Sequence, residues 1–158
     1  MADGRDPTLN PYYNPYAGVG EEISSTYEGR HVLVQEDELL HPEHDSGDDF
    51  VRKGDPILMY GLGGVGVALK TATSLAEGIP IDTEGIWRLS VRSYFGIYIG
   101  QPLFIDIDGI ISDDPDFAWA QFGYSLQEIP APGDGYLDAV IAVKVHWGIS
   151  WWWFMNGA

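Results

Sequence analysis

The chain has 158 residues, 24 of them acidic and 8 basic, for a formal charge of −16 at neutral pH, and it contains no cysteine. That length points to one domain with a core large enough to fold without staples, and the missing cysteines exclude a disulfide framework and a thiolate metal site. The charge repels phosphate backbones, so nucleic-acid binding is not expected; it suits plain solubility or crowding on an exterior surface.

Residues 1–28 read as an extended arm. In Asn10-Pro11-Tyr12-Tyr13-Asn14-Pro15-Tyr16 both prolines push their predecessors out of the α region. The tyrosines are amphipathic and suited to packing on another surface, while a disordered tail is the competing reading. Residues 1–6 lack a basic stretch followed by an apolar one, so no secretory leader is expected.

Residues 30–35 are predicted as a first strand. Residues 36–49 form an acidic loop with His41-Pro42-Glu43-His44. Further strands are predicted over 56–60, 65–69, 79–83, 86–91, 103–107, 110–111, 118–126 and 137–145. Residues 67–77 could be helical by propensity, but Thr71, Thr73 and Ser74 favour a strand followed by a loop or single turn. Asp108-Gly109 has the composition of a two-residue type I′ hairpin turn. Many short strands with turn residues between them define an all-β sandwich or barrel.

Gly61-Leu62-Gly63-Gly64-Val65-Gly66 satisfies the dinucleotide-binding pattern G-x-G-x-x-G. That motif needs a helix opening at its last glycine. Here no βαβ alternation follows and Pro80 precedes the acidic residues, so a glycine hairpin is the preferred reading. His41 and His44 with Glu43 could seed a zinc site, but the loop context argues for exposed, solvated histidines. His146 is read as a packed strand-end residue. Asp106, Asp108, Asp113, Asp114 and Asp116 do not meet the calcium-loop pattern and read as turn formers and acidic surface. No G-x-S-x-G turn and no P-loop occurs. No catalytic residue, cofactor or metal is therefore expected.

The C-terminus is different in kind. Trp147, Trp151, Trp152, Trp153 and Phe154 crowd together, in a run well short of the ~20 apolar residues that cross a membrane as a helix. As a strand, Trp151 and Trp153 would face one way, Trp152 and Phe154 the other. Either the segment closes the core or it forms an intermolecular contact, and the contact is favoured because Trp and Tyr dominate interface hot spots. Tyr12, Tyr13, Tyr16, Trp151, Trp152, Trp153 and Phe154 are the expected interface residues.

The chain also repeats itself. Gly54-Asp55-Pro56-Ile57-Leu58 returns as Gly100-Gln101-Pro102-Leu103-Phe104, each followed by a glycine-containing strand (Gly66-Val67-Ala68-Leu69; Gly123-Tyr124-Ser125-Leu126). A two-lobed β-domain follows, with an arm over 1–28, a β-domain over 29–146 and a Trp-rich segment over 147–158. Together with Thr83-Glu84-Gly85-Ile86-Trp87, Asp106-Ile107-Asp108-Gly109 and the Val-rich residues 139–145, this order resembles the phage capsid cement, or head decoration, proteins. The resemblance covers about residues 51–145; the Tyr-rich arm, the acidic His loop and the Trp-rich tail depart from it. It implies a β-barrel or sandwich, made in the host cytoplasm, that sits on the outer capsid as a homotrimer. Its partner would be the major capsid protein, with no nucleic acid and no membrane. The alternative is a virion tail or receptor- or carbohydrate-binding β-module, in which surface aromatics stack on sugars.

Overall fold

The structure, a computed structural model, describes residues 16–24, 31–44, 49–59 and 64–146. It is nearly all β: β1 (Glu22–Ser24), β2 (His31–Gln35), β3 (Leu39–Leu40), β4 (Pro56–Met59), β5 (Gly64–Ala68), β6 (Gly78–Asp82), β7 (Ile86–Ser93), β8 (Pro102–Ile105), β9 (Ile111–Ser112), β10 (Ala120–Ser125) and β11 (Leu137–Val145), with single 3-10 turns at Glu36–Glu38 and Pro115–Phe117. The expected loop at residues 69–77 is present and contains no helix.

β7, β11, β10, β8 and β9 pair in that order, and β9 returns to β7, which closes a five-stranded barrel; β1 pairs with the start of β7, on the edge whose far end takes β9. The closing pair is parallel, Val91 with Ile111 and Arg92 with Ser112, while the other ladders are antiparallel. Closure removes the free edges that make open sheets sticky. The second sheet runs β2-β6-β5-β4-β3. Its two edge strands are joined by the short Glu36–Glu38 turn, so this sheet also curls back on itself.

The sequence repeat is a repeat of topology. β2, β4, β5 and β6 lie in the spatial order β2-β6-β5-β4, and β7, β8, β10 and β11 in the order β7-β11-β10-β8. In both, three successive strands form a meander and the first returns beside the last, a Greek key run from its other end. The duplicated Gly-x-Pro motifs open equivalent strands, β4 and β8, and Gly54 and Gly100 both have positive φ (91° and 85°). The fifth strand breaks the correspondence: β3 precedes β4, whereas β9 follows β8.

Equivalent glycines also sit in the middle strands. A side chain on Gly66 would run into Ile81 and the Asp82 carbonyl on β6; one on Gly123 would run into the Lys144 carbonyl on β11. Gly66 therefore lies inside a strand, the structural role expected of the glycine motif; Gly61 to Gly63 lie outside the described residues. β5 is buried along its whole length. Val65 and Val67, with Leu58, join a cluster containing the barrel residues Trp87, Leu89, Phe122 and Val143. Ala68 joins the core of the second sheet with Ile57, Ile79 and Ile81. Phe122 is the extra residue in a bulge of β10 against β8, between the pairs Gln121↔Phe104 and Gly123↔Leu103. The bulge turns Phe122 and Gly123 both inward and keeps β10 curved.

Two expectations need revision. Glu22–Ser24, inside the predicted arm, is a strand on β7, and Ala17 and Ile23 are buried against Ala142 and Ile86. The loop at Asp108-Gly109 is not a type I′ hairpin. β8 ends at Ile105 and β9 starts at Ile111, and Gly109 has positive φ while Asp108 does not; a type I′ turn requires it at both central residues. The Asp106 carboxylate decides the outcome, because Oδ1 accepts from the amides of Asp108 (2.8 Å) and Ile110 (3.0 Å) and so captures the backbone in an Asx-type turn.

Loop 69–77 is clasped by Lys70 and Glu77 at 2.5 Å, with the Thr73 amide donating to the same carboxylate. The Lys70 hydrogen bond, then the Thr73 amide, hold the Glu77 carboxyl at about 2, below its ordinary range. A folded value below the unfolded one contributes stability above about pH 4.5 that is lost as pH falls toward 2. Glu77→Gln is expected to flatten the acid limb of the stability profile in that window, measured by denaturant midpoint against pH. A second expectation concerns packing. Gly123→Ala forces a Cβ against the β11 backbone and should cost about 3 kcal/mol or more in urea unfolding. Gly133→Ala, where nothing lies within 4 Å of the added carbon, should leave the midpoint unchanged.

Candidate functional site

β7 leaves the barrel through a tight turn that carries Tyr94 and Phe95. The turn is built on a buried carboxylate. Asp113, 4% exposed, accepts from the amides of Tyr94 (2.8 Å) and Phe95 (3.0 Å) and lies 3.4 Å from the Ser93 hydroxyl. The Gly96 amide in turn donates to Ser93 Oγ at 2.9 Å. Asp114 accepts from the Asp116 amide and caps the Pro115–Phe117 turn. Asp106, Asp113 and Asp114 thus direct carboxylate oxygens at backbone amides, as turn-forming aspartates do.

This scaffold brings four aromatic rings together at one end of the barrel. Tyr94 lies 5.5 Å from Phe117, 5.8 Å from Tyr136 in an edge-on arrangement and 6.3 Å from Phe95, centre to centre. Phe95, Phe117 and Tyr136 are more than half exposed, at 66%, 56% and 53%. Arg92 rests over the Tyr136 ring, 4.0 Å from its centre, and bonds Asp138 through two nitrogens at 2.9 and 3.2 Å. The Asp138 hydrogen bonds raise the guanidinium further above its already high range, so the cation is fixed in place. Phe95 also borders a hollow of about 370 Å³ lined by Tyr98, Glu128, Ile129 and Pro130. Tyr98 and Ile99 beside it are strongly exposed. Rings exposed and clustered this densely go beyond the ordinary scatter of single apolar residues on a surface.

Of the expected interface residues, Tyr16 is 74% exposed in the turn before β1. Tyr12, Tyr13, Trp151, Trp152, Trp153 and Phe154 lie outside the described residues. The Tyr94 cluster was missed by sequence reasoning because its members come from three separate turns. The available signal was an aromatic residue next to each turn: Tyr94-Phe95-Gly96, Pro115-Asp116-Phe117 and Gly135-Tyr136.

The histidines are a correction. Their side chains are 7% exposed at His41 and 13% at His44, not solvated. The rings stack at 5.9 Å with 15° between planes. Gly109 of the barrel backs directly onto His41 and Pro42, which presses this loop against the β8–β9 connection. His146, expected to be packed, follows β11 and is exposed, with its ring 5.9 Å from Tyr124. Comparison with protein-family models, with curated proteins and with solved structures returns no match.

The turn that presents the rings depends on Asp113. Asp113→Ala leaves two amides without their acceptor and should cost about 2–4 kcal/mol, with hydrogen-exchange protection lost at Tyr94 and Phe95. Asp113→Asn, which keeps one acceptor oxygen, is expected to lose roughly half as much.

Proposed function

We propose that this protein is a structural binding protein that docks on an assembled protein shell, as a capsid cement protein does. The observation that carries the reading is the cluster of exposed Phe95, Phe117 and Tyr136 around half-buried Tyr94, held by Asp113 and Arg92. Aromatic rings anchored on a stiff scaffold lose little entropy on docking and supply most of the binding energy of protein contacts. No chemistry is required of such a protein. Each copy bridges neighbouring coat subunits, and mass action favours the assembled shell. The charge of −16 suits an outward face that stays soluble at high local density. The resemblance of residues 51–145 to head decoration proteins implies which shell this would be, the major capsid protein on the outer surface of a virion, and implies a trimer.

The second reading, a receptor- or carbohydrate-binding module of a virion, draws on the same rings. It is favoured by the hollow beside Phe95, where Tyr98 and Glu128 offer a ring and a carboxylate to a sugar.

Co-sedimentation with undecorated phage capsids separates the two. Cement requires saturable binding by an oligomer. Phe95→Ser and Tyr136→Ser should each weaken it tenfold or more without moving the melting temperature, since the loss of a hot-spot ring costs about 2 kcal/mol. A monomer that stays in the supernatant while binding immobilised glycans would overturn cement in favour of the second reading.

A further inference from the structure

We propose that His41, His44 and Asp55, backed by Glu36, form a binding site for one divalent transition-metal ion of the zinc class. One ligating atom from each of His41, His44 and Asp55 lies within 4.8 Å of the other two. The residues come from separate pieces of backbone: Glu36 from the 3-10 turn after β2, the histidines from the loop after β3, and Asp55 from the turn that opens β4.

The hydrogen bonds prepare the ligands. The Pro42 carbonyl can only accept, so at 2.9 Å it requires the proton of His41 on Nδ1. His41 Nε2 faces Glu36 Oε1, 3.4 Å away. A buried carboxylate facing a ring nitrogen calls for positive charge between them, which either a second ring proton or a bound metal ion supplies. Glu36 is 3% exposed, and its other oxygen accepts from the Val51 amide at 3.2 Å, which fixes the carboxylate in that direction. A ring N–H held by a backbone carbonyl is also the arrangement that orients metal-bound imidazoles. On the other side, His44 Nε2 lies 2.6 Å from Asp55 Oδ2, which also accepts from the Arg52 amide at 2.8 Å. In a zinc site with bonds of about 2.0–2.1 Å, ligand atoms stand roughly 3.3 Å apart. His44 and Asp55 would open slightly and the His41 side would close, movements within reach of side chains.

The donor set selects the ion. Two imidazoles with two carboxylates suit zinc, cobalt or nickel, whereas calcium and magnesium demand oxygen shells. Two neutral imidazoles, two carboxylates and a divalent ion sum to zero charge, which a part-buried site favours. Pro42 and Asp55 also line a cavity of about 270 Å³ shared with Val19, Gly109 and Arg92, so the Asp55 side of the cluster borders open space. Bound there, it would fasten the His loop, the β4 turn and the barrel connection at Gly109 to one another.

The test is titration of chelator-treated full-length protein with Zn²⁺ and Co²⁺, followed by calorimetry, melting temperature and the Co²⁺ absorption spectrum. One equivalent is expected, with a raised melting temperature and the intense visible bands of a tetrahedral or five-coordinate ion. His44→Ala and Asp55→Asn should each lower affinity at least tenfold while preserving the apo circular dichroism spectrum, and His146→Ala should change nothing. Where His44→Ala fails to fold, His44→Gln serves in its place. Absence of stoichiometric binding, weak octahedral Co²⁺ bands, or affinity unmoved in His44→Gln and Asp55→Asn would each overturn the site.

Discussion

The structure depends on β7 being held at both ends by a buried carboxylate. At its start, Asp82 on β6 accepts from the Trp87 indole at 3.0 Å and from the amides of Glu84 and Gly85 at 3.1 Å each. At its end, Asp113 after β9 accepts from the amides of Tyr94 and Phe95. Buried carboxylates are costly unless their oxygens meet donors, and here the donors are mainly backbone groups of the turns themselves. Each carboxylate therefore imposes one conformation on the chain beside it. β7 carries the ladders to β1, β11 and β9, so fixing its two ends fixes the barrel.

The first carboxylate also joins the two β-units. Asp82 belongs to the second sheet, where it pairs with His31 and Val67, while Trp87 is fully inside the barrel cluster. The indole hydrogen bond spans that junction. Next to it, β5 packs Val65 and Val67 into the same cluster as Trp87. The two Greek keys share apolar contact and a polar lock, which is why a duplicated sequence yields one body with continuous packing and not two beads. The second carboxylate serves the surface instead. It sets the direction in which Tyr94 and Phe95 leave the barrel, and so ties the aromatic cluster to the core.

Most strands were legible in the sequence because their signals are local. β-branched runs bounded by Gly, Pro and Asp marked β2, β4, β5, β6, β7, β10 and β11, and β11 has the bounds expected, Leu137–Val145. The repeat was legible for the same reason: a Gly-x-Pro turn needs positive φ at its glycine in both copies. What could not be read was long-range. β1 is three residues that gain stability only from β7, and the parallel β7–β9 closure consists of two residue pairs. The Asp108-Gly109 turn failed for a different reason. The dipeptide rule weighs two residues, whereas Asp106, two positions earlier, supplied the carboxylate that won the backbone.

The two sites stand at the same limit of legibility. Tyr94, Phe117 and Tyr136 are separated by about twenty residues each, and only closure of the barrel stacks them. His41 and His44 looked solvated because a proline and the seven acidic residues of 36–49 surround them in sequence, yet the loop is pressed against Gly109, where any side chain would strike Pro42. That glycine is on the barrel, sixty-odd residues away in the chain. A loop that is polar by composition becomes part-buried when a distant backbone can approach it without a Cβ. The same device acts at Gly66 and Gly123, and at Gly54, where an added carbon would fall 2.5 Å from the Gly20 carbonyl. In this fold, places where side chains are missing decide where strands and loops meet, and the chemistry of the neighbours follows from that approach.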